Sequence, residues 1–284
     1  MSNTRPSVRQ RRLAAMLAKL REEAGRTPEE AANRIGCHRS KINRIENARL
    51  GISLGELRDL LTFYGVEDPA LVEDLVSLAR RRNERGWAQR LGVALPSYAD
   101  YIDYEESANY IRSFQPLLIA GLLQTADYAR AIFQGSQAML TPERVNELVE
   151  IRMQRQALMD ADKPPRLCVI EGEGALRAHI GGSKVMRAQL DHLLAMSERP
   201  NIILQVLPHN AGAHAGLMGA FVLFSFPTPA FSDVVCVEHN TGTLYLEEPE
   251  ETNIYTLTFD SLRSSALSPA ESRDLITKIK AEID

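Results

Sequence analysis

The chain has 284 residues, of which 44% are hydrophobic and 25% are charged, and its net charge is −4. These values are ordinary for a globular protein with a buried core, and the length favours two or three domains. The apolar runs are too short to span a membrane and the N-terminus has no apolar signal core, so we expect a cytoplasmic protein without membrane contact. Three scattered cysteines fit neither a disulfide framework nor a zinc spacing, and we expect no metal and no cofactor.

The charge is divided unevenly along the chain. Residues 1–90 carry a net charge of +6 and the remainder carries −10. A small basic domain joined to a large acidic one indicates that only the first domain meets a polyanion.

The first 85 residues show a succession of short amphipathic helices. Leu13, Leu17 and Leu20 recur at helical spacing, and Gly25 ends that first segment. A capping box opens the second helix, since Thr27 is followed three residues later by Glu30. The predicted helices are 8–24, 27–35, 38–46 and two more that begin at Ser53 and Asp68. This pattern predicts an all-α domain over residues 1–85, with the basic cluster Arg80, Arg81, Arg82 and Arg85 at its end.

Residues 27–46 have the spacing of a helix-turn-helix motif. Ala32 is small where two helices approach, Gly36 can adopt the positive φ of a tight turn, and Ile42 with Ile45 can anchor the following helix. The alternative interpretation is an ordinary helical hairpin with a glycine between the helices. The basic outer face and the local charge favour binding to double-stranded DNA.

Residues from about 8 to 67 resemble the Xre family of phage-repressor-like helix-turn-helix domains. The Ile45-Glu46-Asn47 end of the third helix is similar to that family's hydrophobic-Glu-Asn/Arg ending, whereas Pro28 departs from its usual polar residue. The resemblance implies that three residues of the third helix read base edges: Arg39, Ser40 and Arg44. Lys41, Asn43 and Arg49 are expected to contact phosphates. Arg21 and Glu46 match a pair that the family uses as a scaffold salt bridge.

Residues 86–110 change in character, and we interpret them as a junction because Trp87 and several tyrosines lie among acidic residues. The rest, 111–284, mixes helical and strand patterns, which predicts an α+β domain. The predicted strands are 166–170, 202–207, 220–226, 234–238 and 243–246. The predicted helices are 125–133, 142–160, 184–197, 251–263 and 269–283.

The segment from about 100 to 280 also resembles a known family, an uncharacterised actinobacterial effector-like domain. The matching stretches include Ile111-Arg112-Ser113-Phe114-Gln115-Pro116, Gly121-Leu122-Leu123-Gln124-Thr125 and Gly212-Ala213-His214-Ala215-Gly216. Ala120 departs from the proline that usually precedes Gly-Leu-Leu. The resemblance implies an antitoxin-like transcription regulator of the Streptomyces type, often encoded beside a very small partner protein.

Polar residues of the C-terminal part admit other interpretations. His209, His214 and His239 match no zinc spacing. His214 could contact a ligand or partner, or it could cap its own loop. Glu171, Glu173, Glu238 and His239 lie at strand ends, where acid–base residues often occur, but a solvated acidic rim is expected of so acidic a domain, and we expect no enzyme. Cys168 and Cys236 fit buried strand positions, and Leu117–Leu123 fits either a partner-binding stripe or a core segment.

The sequence therefore predicts a homodimeric, operator-binding transcription regulator whose C-terminal domain responds to a small partner protein. A small-molecule-responsive repressor is the main alternative. An enzyme fused to a DNA-binding domain has no converging catalytic set, and an architectural nucleoid protein would carry more cationic surface than these first residues offer.

Overall fold

A computed structural model describes residues 6–80, 96–135, 140–227, 231–239 and 242–283. The chain forms two compact units, one of Met1–Tyr104 with Pro227–Phe231 and one of Glu105–Phe226 with Ser232–Asp284. Arg81, Arg82, Arg85 and Trp87, which the sequence analysis singled out, lie outside the described residues.

The N-terminal unit begins with five helices, which confirms its predicted all-α class. They are α1 (Val8–Glu23), α2 (Pro28–Arg34), α3 (Arg39–Glu46), α4 (Leu54–Phe63) and α5 (Pro69–Arg80). The predicted capping box of α2 is present, since the Glu30 amide donates to Thr27 Oγ1 over 3.2 Å, and α4 has a second one, in which the Glu56 amide donates to Ser53 Oγ over 3.3 Å. Each box satisfies amide groups that would otherwise lack a partner at a helix start.

The apolar faces of these helices share one core. Leu17, Ile42, Leu57, Leu60 and Leu75 are each buried in it. Short helices of seven to sixteen residues are marginal in isolation, so this shared burial, with the caps, stabilises them.

The predicted junction contains a sixth helix, α6 (Pro96–Ser107), which the sequence analysis missed. Its Asp100 accepts a hydrogen bond from Arg11 of α1 over 3.0 Å, and Tyr101 and Tyr104 are buried. In the sequence, acidic residues between aromatic ones are typical of a solvated linker. Pairing with an arginine distant in sequence allows the segment to pack as a helix.

The C-terminal unit contains a six-stranded mixed sheet in the order β3-β2-β1-β4-β5-β6, which confirms the predicted α+β class. The strands are β1 (Tyr110–Gln115), β2 (Arg166–Gly172), β3 (Ile202–Leu207), β4 (Phe221–Ser225), β5 (Val234–His239) and β6 (Gly242–Leu246). β1, β2 and β3 run parallel, and β4 pairs with β1 in antiparallel orientation. Five of these six strands were predicted from the sequence.

The strand missed by the sequence analysis is β1, although it lies at the centre of the sheet. It carries Arg112 and Ser113 where a central strand usually has apolar residues. The Arg112 guanidinium donates to Asp233 over 2.7 Å and to Ser225 Oγ over 3.0 Å, which satisfies its buried charge. These partners come from distant segments, so the local pattern does not reveal the strand.

The α-helices that follow β1 are α7 (Ala126–Gly135), α8 (Pro142–Gln156), α9 (Glu173–Arg177), α10 (Ser183–Met196), α11 (Pro249–Ser265) and α12 (Pro269–Glu282). α11 packs on the sheet through Phe259 and Leu262, and the Phe259 ring lies 6.5 Å from that of Phe221. Among the described residues, no helix is both long and apolar enough to cross a membrane.

Candidate nucleic-acid interface

The turn between α2 and α3 has the geometry that a helix-turn-helix requires. Gly36 has φ +65°, a backbone conformation that residues with a Cβ adopt only with strain. The Cys37 amide donates to the Ala32 carbonyl over 2.9 Å and closes the end of α2. Gly36 therefore lets the chain turn within a few residues, so that α3 begins at Arg39, as a helix-turn-helix requires.

The inner side of α3 is anchored in the core. Ile42 is 1% exposed and Ile45 is 3% exposed, and both pack in the cluster that contains Ala32. Because these two residues are three apart, they occupy one face of the helix and leave the opposite face outward. The burial of Ile42 and Ile45 thus fixes which residues of α3 face solvent.

Arg21 and Glu46 form the scaffold pair that the resemblance implied. Arg21 donates to the two carboxylate oxygens of Glu46 over 2.7 and 3.0 Å, and to the Arg26 carbonyl over 2.9 Å. The hydrogen bonds to Glu46 raise the pKa of Arg21, while partial burial opposes the shift. The pair ties α1 to the last turn of α3. Both side chains are engaged within the protein, consistent with a scaffold role.

The outward face of α3 carries Arg39, Ser40, Asn43 and Arg44, all of which are exposed. Within the described part of the chain, Arg39 and Arg44 have no carboxylate partner, so their guanidinium groups are available to a ligand. A guanidinium has paired N–H donors that match the O6 and N7 acceptors of guanine. The face therefore has the donors needed to read base edges in a major groove.

Lys41, which was predicted to contact phosphate, makes an ion pair with Glu56 at the start of α4. The hydrogen bond from Lys41 holds the pKa of Glu56 below its usual value, against a smaller effect of burial. The ammonium group of Lys41 is thus already neutralised within the protein.

Arg49 follows α3 and is exposed. Its amide donates to the Arg44 carbonyl over 2.8 Å, and the preceding Ala48 has φ +56°. A left-handed residue followed by this hydrogen bond is the usual way to end an α-helix, although glycine is the residue that favours it. The turn directs the chain away from α3 and leaves the Arg49 side chain at the end of that helix.

His38 is a residue of this face that the sequence analysis did not assign. It is the N-cap of α3: its Nδ1 accepts from the Ser40 amide over 3.4 Å and lies 3.2 Å from Ser40 Oγ. An Nδ1 that accepts leaves the proton of a neutral imidazole on Nε2. The exposed ring of His38 therefore offers a donor beside Ser40. The signal available in the sequence was a polar residue immediately before the helix.

Among the C-terminal candidates, Glu171 does not belong to a solvated acidic rim, and that interpretation is wrong for this residue. It is fully buried, and its Oε1 accepts from the Ala120 amide over 2.8 Å. Burial raises the pKa of Glu171 to about 8, and the Ala120 hydrogen bond opposes that shift. The loop after β1 crosses the end of β2, since a Cβ at Gly172 would lie 2.6 Å from the Pro116 carbonyl oxygen. This loop covers the carboxyl group.

Of the other candidates in this part of the chain, Glu173 and His209 lie together. Glu173 accepts from Arg177 over 2.7 Å and from the His209 amide over 2.9 Å. His214 caps a short 3-10 helix by accepting from the Gly216 amide over 3.2 Å. Cys168 and Cys236 are buried in strands, as predicted. Leu117–Leu123 is divided, with Leu117 and Leu118 exposed and most of the remainder buried.

Two family matches agree with this geometry. Residues 12–75 match a family described as a helix-turn-helix domain, and residues 98–278 match one described as a domain of unknown function (DUF5753). The search of curated proteins found no match, and neither did the search of solved structures. The fold of α1–α5 and the exposed face of α3 thus define a helix-turn-helix DNA-binding regulator. The chain belongs to the DUF5753 family, whose domain spans most of its length.

Proposed function

We propose that the protein is a sequence-specific transcription regulator of the Xre type, which binds double-stranded operator DNA as a homodimer in the cytoplasm. The observation that carries the proposal is the exposure of Arg39 and Arg44 on the outward face of α3, where neither guanidinium has a carboxylate partner among the described residues. α3 is the second helix of the motif, the one that enters the major groove in this class.

We further propose that the C-terminal domain is regulatory, antitoxin-like and modulated by a small partner protein. The charge division supports separate roles, because a domain of net −10 is repelled by phosphate and should face away from the duplex. A partner would change operator affinity through its different affinities for two dimer geometries. This role requires binding without catalysis. It is supported by the loop after β1, which covers Glu171, and by Arg177, which engages Glu173.

The DNA-binding proposal can be tested by selecting sequences from a random duplex library with the full-length protein. The selected sites should be inverted repeats, and their affinity should exceed that for random DNA by at least about a thousandfold at the same salt concentration. Lys19→Ala is a suitable control, since it removes an exposed positive charge of α1 rather than of α3. Recovery of no shared sequence, or equal affinity for selected and random duplexes, would overturn sequence-specific binding.

A further inference from the structure

Large exposed apolar side chains are concentrated in the C-terminal unit. Among the described residues seven such side chains are exposed by 40% or more, and all seven belong to this unit. They are Leu117, Leu118, Leu217, Met218, Leu244, Ile254 and Leu257. Exposed apolar side chains mark an interaction surface where they are contiguous.

Four of these side chains come from two segments that pack together. The short 3-10 helix Ala215–Met218 lies against α11, and a Cβ at Gly216 would be only 3.0 Å from Leu262 of α11 and 2.3 Å from the Phe114 ring. Leu217 and Met218 follow directly, with exposures of 64% and 97%. On α11 itself, Ile254 and Leu257 are three residues apart and share an exposed face. We call Leu217, Met218, Ile254 and Leu257 the α11 apolar face.

The sequence segment that carries the α11 apolar face is acidic. From residue 200 to residue 262 the sequence contains no Lys or Arg, but it contains seven acidic residues. Glu250 lies four residues before Ile254 and Asp260 lies three residues after Leu257, so both flank the apolar pair on the helix, and both are exposed. Glu247, Glu248 and Glu251 are exposed at the start of the same helix.

We propose that the α11 apolar face is the docking site for a basic amphipathic helix of a partner protein, with apolar side chains facing Ile254 and Leu257 and with Lys or Arg along its edges. The charge decides between possible occupants. A second copy related by a twofold axis would place the same acidic rim against itself, which is repulsive. A cationic helix satisfies both the apolar strip and the rim, in the manner of helix-in-groove recognition.

This inference rests on the proposed regulatory role of the C-terminal domain, for which it names the surface and the chemistry of the partner. It does not depend on DNA binding. Docking and operator binding are therefore measured separately, and either can fail while the other holds.

The test uses the full-length protein and a fluorescent synthetic peptide of about 18 residues. The peptide carries Leu on one helical face and Lys elsewhere, and binding is followed by anisotropy without DNA at about 0.15 M ionic strength. Two peptides serve as controls: one with Glu in place of Lys, and one with the same Leu and Lys residues scrambled so that no apolar face forms. We expect binding of the Leu/Lys amphipathic peptide alone.

Three protein variants locate the binding. Ile254→Gln with Leu257→Gln should weaken peptide binding at least about tenfold, because the central apolar contacts are lost. Glu250→Gln with Asp260→Asn should weaken binding and reduce its salt dependence. Leu117→Gln changes an equally exposed leucine outside the α11 apolar face and should leave binding unchanged. All these positions are exposed, and circular dichroism should show that the fold is retained.

Equal binding of the scrambled peptide, or undiminished binding to the Ile254/Leu257 variant, would overturn the proposal. Sedimentation of that variant gives a second criterion. If it becomes monomeric where the native protein is dimeric, the α11 apolar face is occupied by a second copy and the assignment is wrong. Operator binding of the same variant, without peptide, should equal that of the native protein, and its loss would instead implicate the DNA-binding proposal.

Discussion

Arg39 and Arg44 owe their position to two buried isoleucines rather than to any interaction of their own. Ile42 and Ile45 hold the inner face of α3 in the core, so that Arg39 before them and Arg44 between them are exposed. His38 and Ser40 extend this outward face at the start of the helix, where the groove is entered first. The hydrogen-bonding groups that α3 offers to DNA thus depend on the side chains that stand on the face opposite the buried Ile42 and Ile45.

Replacing Arg39 or Arg44 by Ala should weaken binding to the selected operator by about 1–3 kcal/mol each, since a bidentate guanine contact is lost. Arg39→Lys should keep much of the non-specific affinity and lose discrimination at one base position, because a lysine retains the charge without the paired donors. The measurement is a titration of operator and single-base variants at one salt concentration. Native affinity in both alanine variants would reject this groove assignment.

Gly36 and Ala48 allow a paired test of backbone strain around α3. Both residues have positive φ, yet only position 36 carries glycine, the residue that this conformation favours. Gly36→Ala should destabilise the protein by about 1 kcal/mol, and Ala48→Gly should stabilise it by up to about 1 kcal/mol. No atom lies within 4 Å of a Cβ built at Gly36, so the first change tests conformation without a clash. Urea denaturation measures both variants, and equal signs would contradict the argument.

The helices of the DNA-binding unit are joined by ion pairs of different burial. The Arg21–Glu46 pair links α1 to α3, and each side chain is 10% exposed. The Lys41–Glu56 pair links α3 to α4, with exposures of 32% and 25%. Breaking a buried pair leaves an uncompensated charge, whereas water solvates the remaining partner of a more exposed pair.

We therefore expect Glu46→Gln to destabilise the protein by about 3 kcal/mol and Glu56→Gln by less than about 1 kcal/mol beyond the loss of its cap. The two substitutions make the same chemical change at helix–helix contacts of the same unit, so each serves as the control for the other. Thermal and urea melts of the full chain measure the difference. An equal loss in both variants would show that burial does not decide the strength of the link between the helices.

The end of β2 and the loop that crosses it give a pH-dependent contribution to stability. The pKa of Glu171 is raised from 4.5 to about 8 by burial, so the folded protein retains a proton there that the unfolded chain releases. The stability from this group is present below about pH 4.5 and is lost as the pH rises towards 8, at up to about 1.4 kcal/mol per pH unit.

Glu171→Gln should flatten this part of the pH profile, because an amide does not titrate and its oxygen can still accept from the Ala120 amide. The experiment compares urea midpoints of the native protein and the variant between about pH 5.5 and pH 8. The variant should gain stability relative to the native protein as the pH rises. Parallel profiles would mean that the carboxyl group titrates normally in the folded state.

At the scale of the whole molecule, the proposed dimer requires two DNA-binding units at half-sites about 34–36 Å apart. One unit of this size contacts too few base pairs for useful genomic specificity, so pairing is expected. Footprinting with the full chain should show two protected half-sites about one helical turn apart, and the complex should contain two chains per operator. We expect residues 100–284 to supply most of the dimer contacts. One chain bound to an isolated half-site with full affinity would contradict the dimer.

Most of the DNA-binding motif could be predicted from the sequence because its signals are local. Thr27 and Glu30 cap α2 within a single turn, Gly36 provides the positive φ, and the spacing of Ile42 and Ile45 decides the buried side of α3. Five of the six strands were predicted for the same reason, since their apolar residues lie between glycines, prolines and asparagines. Such features act over a few residues and require no knowledge of distant partners.

Apart from His38, the features that the sequence did not reveal depend on contacts between distant segments. β1 is stabilised by the pairing of Arg112 with Asp233, α6 by the pairing of Asp100 with Arg11, and the state of Glu171 by the loop that buries it. Likewise, the ion pair of Lys41 with Glu56 of the next helix was not evident from the sequence, and the contact of Lys41 with phosphate stays a prediction. By itself the sequence determined the class of DNA-binding motif and the side of α3 that faces outward. Only the tertiary structure decided which charged groups remain free, because a charge is satisfied by whatever the fold brings near it.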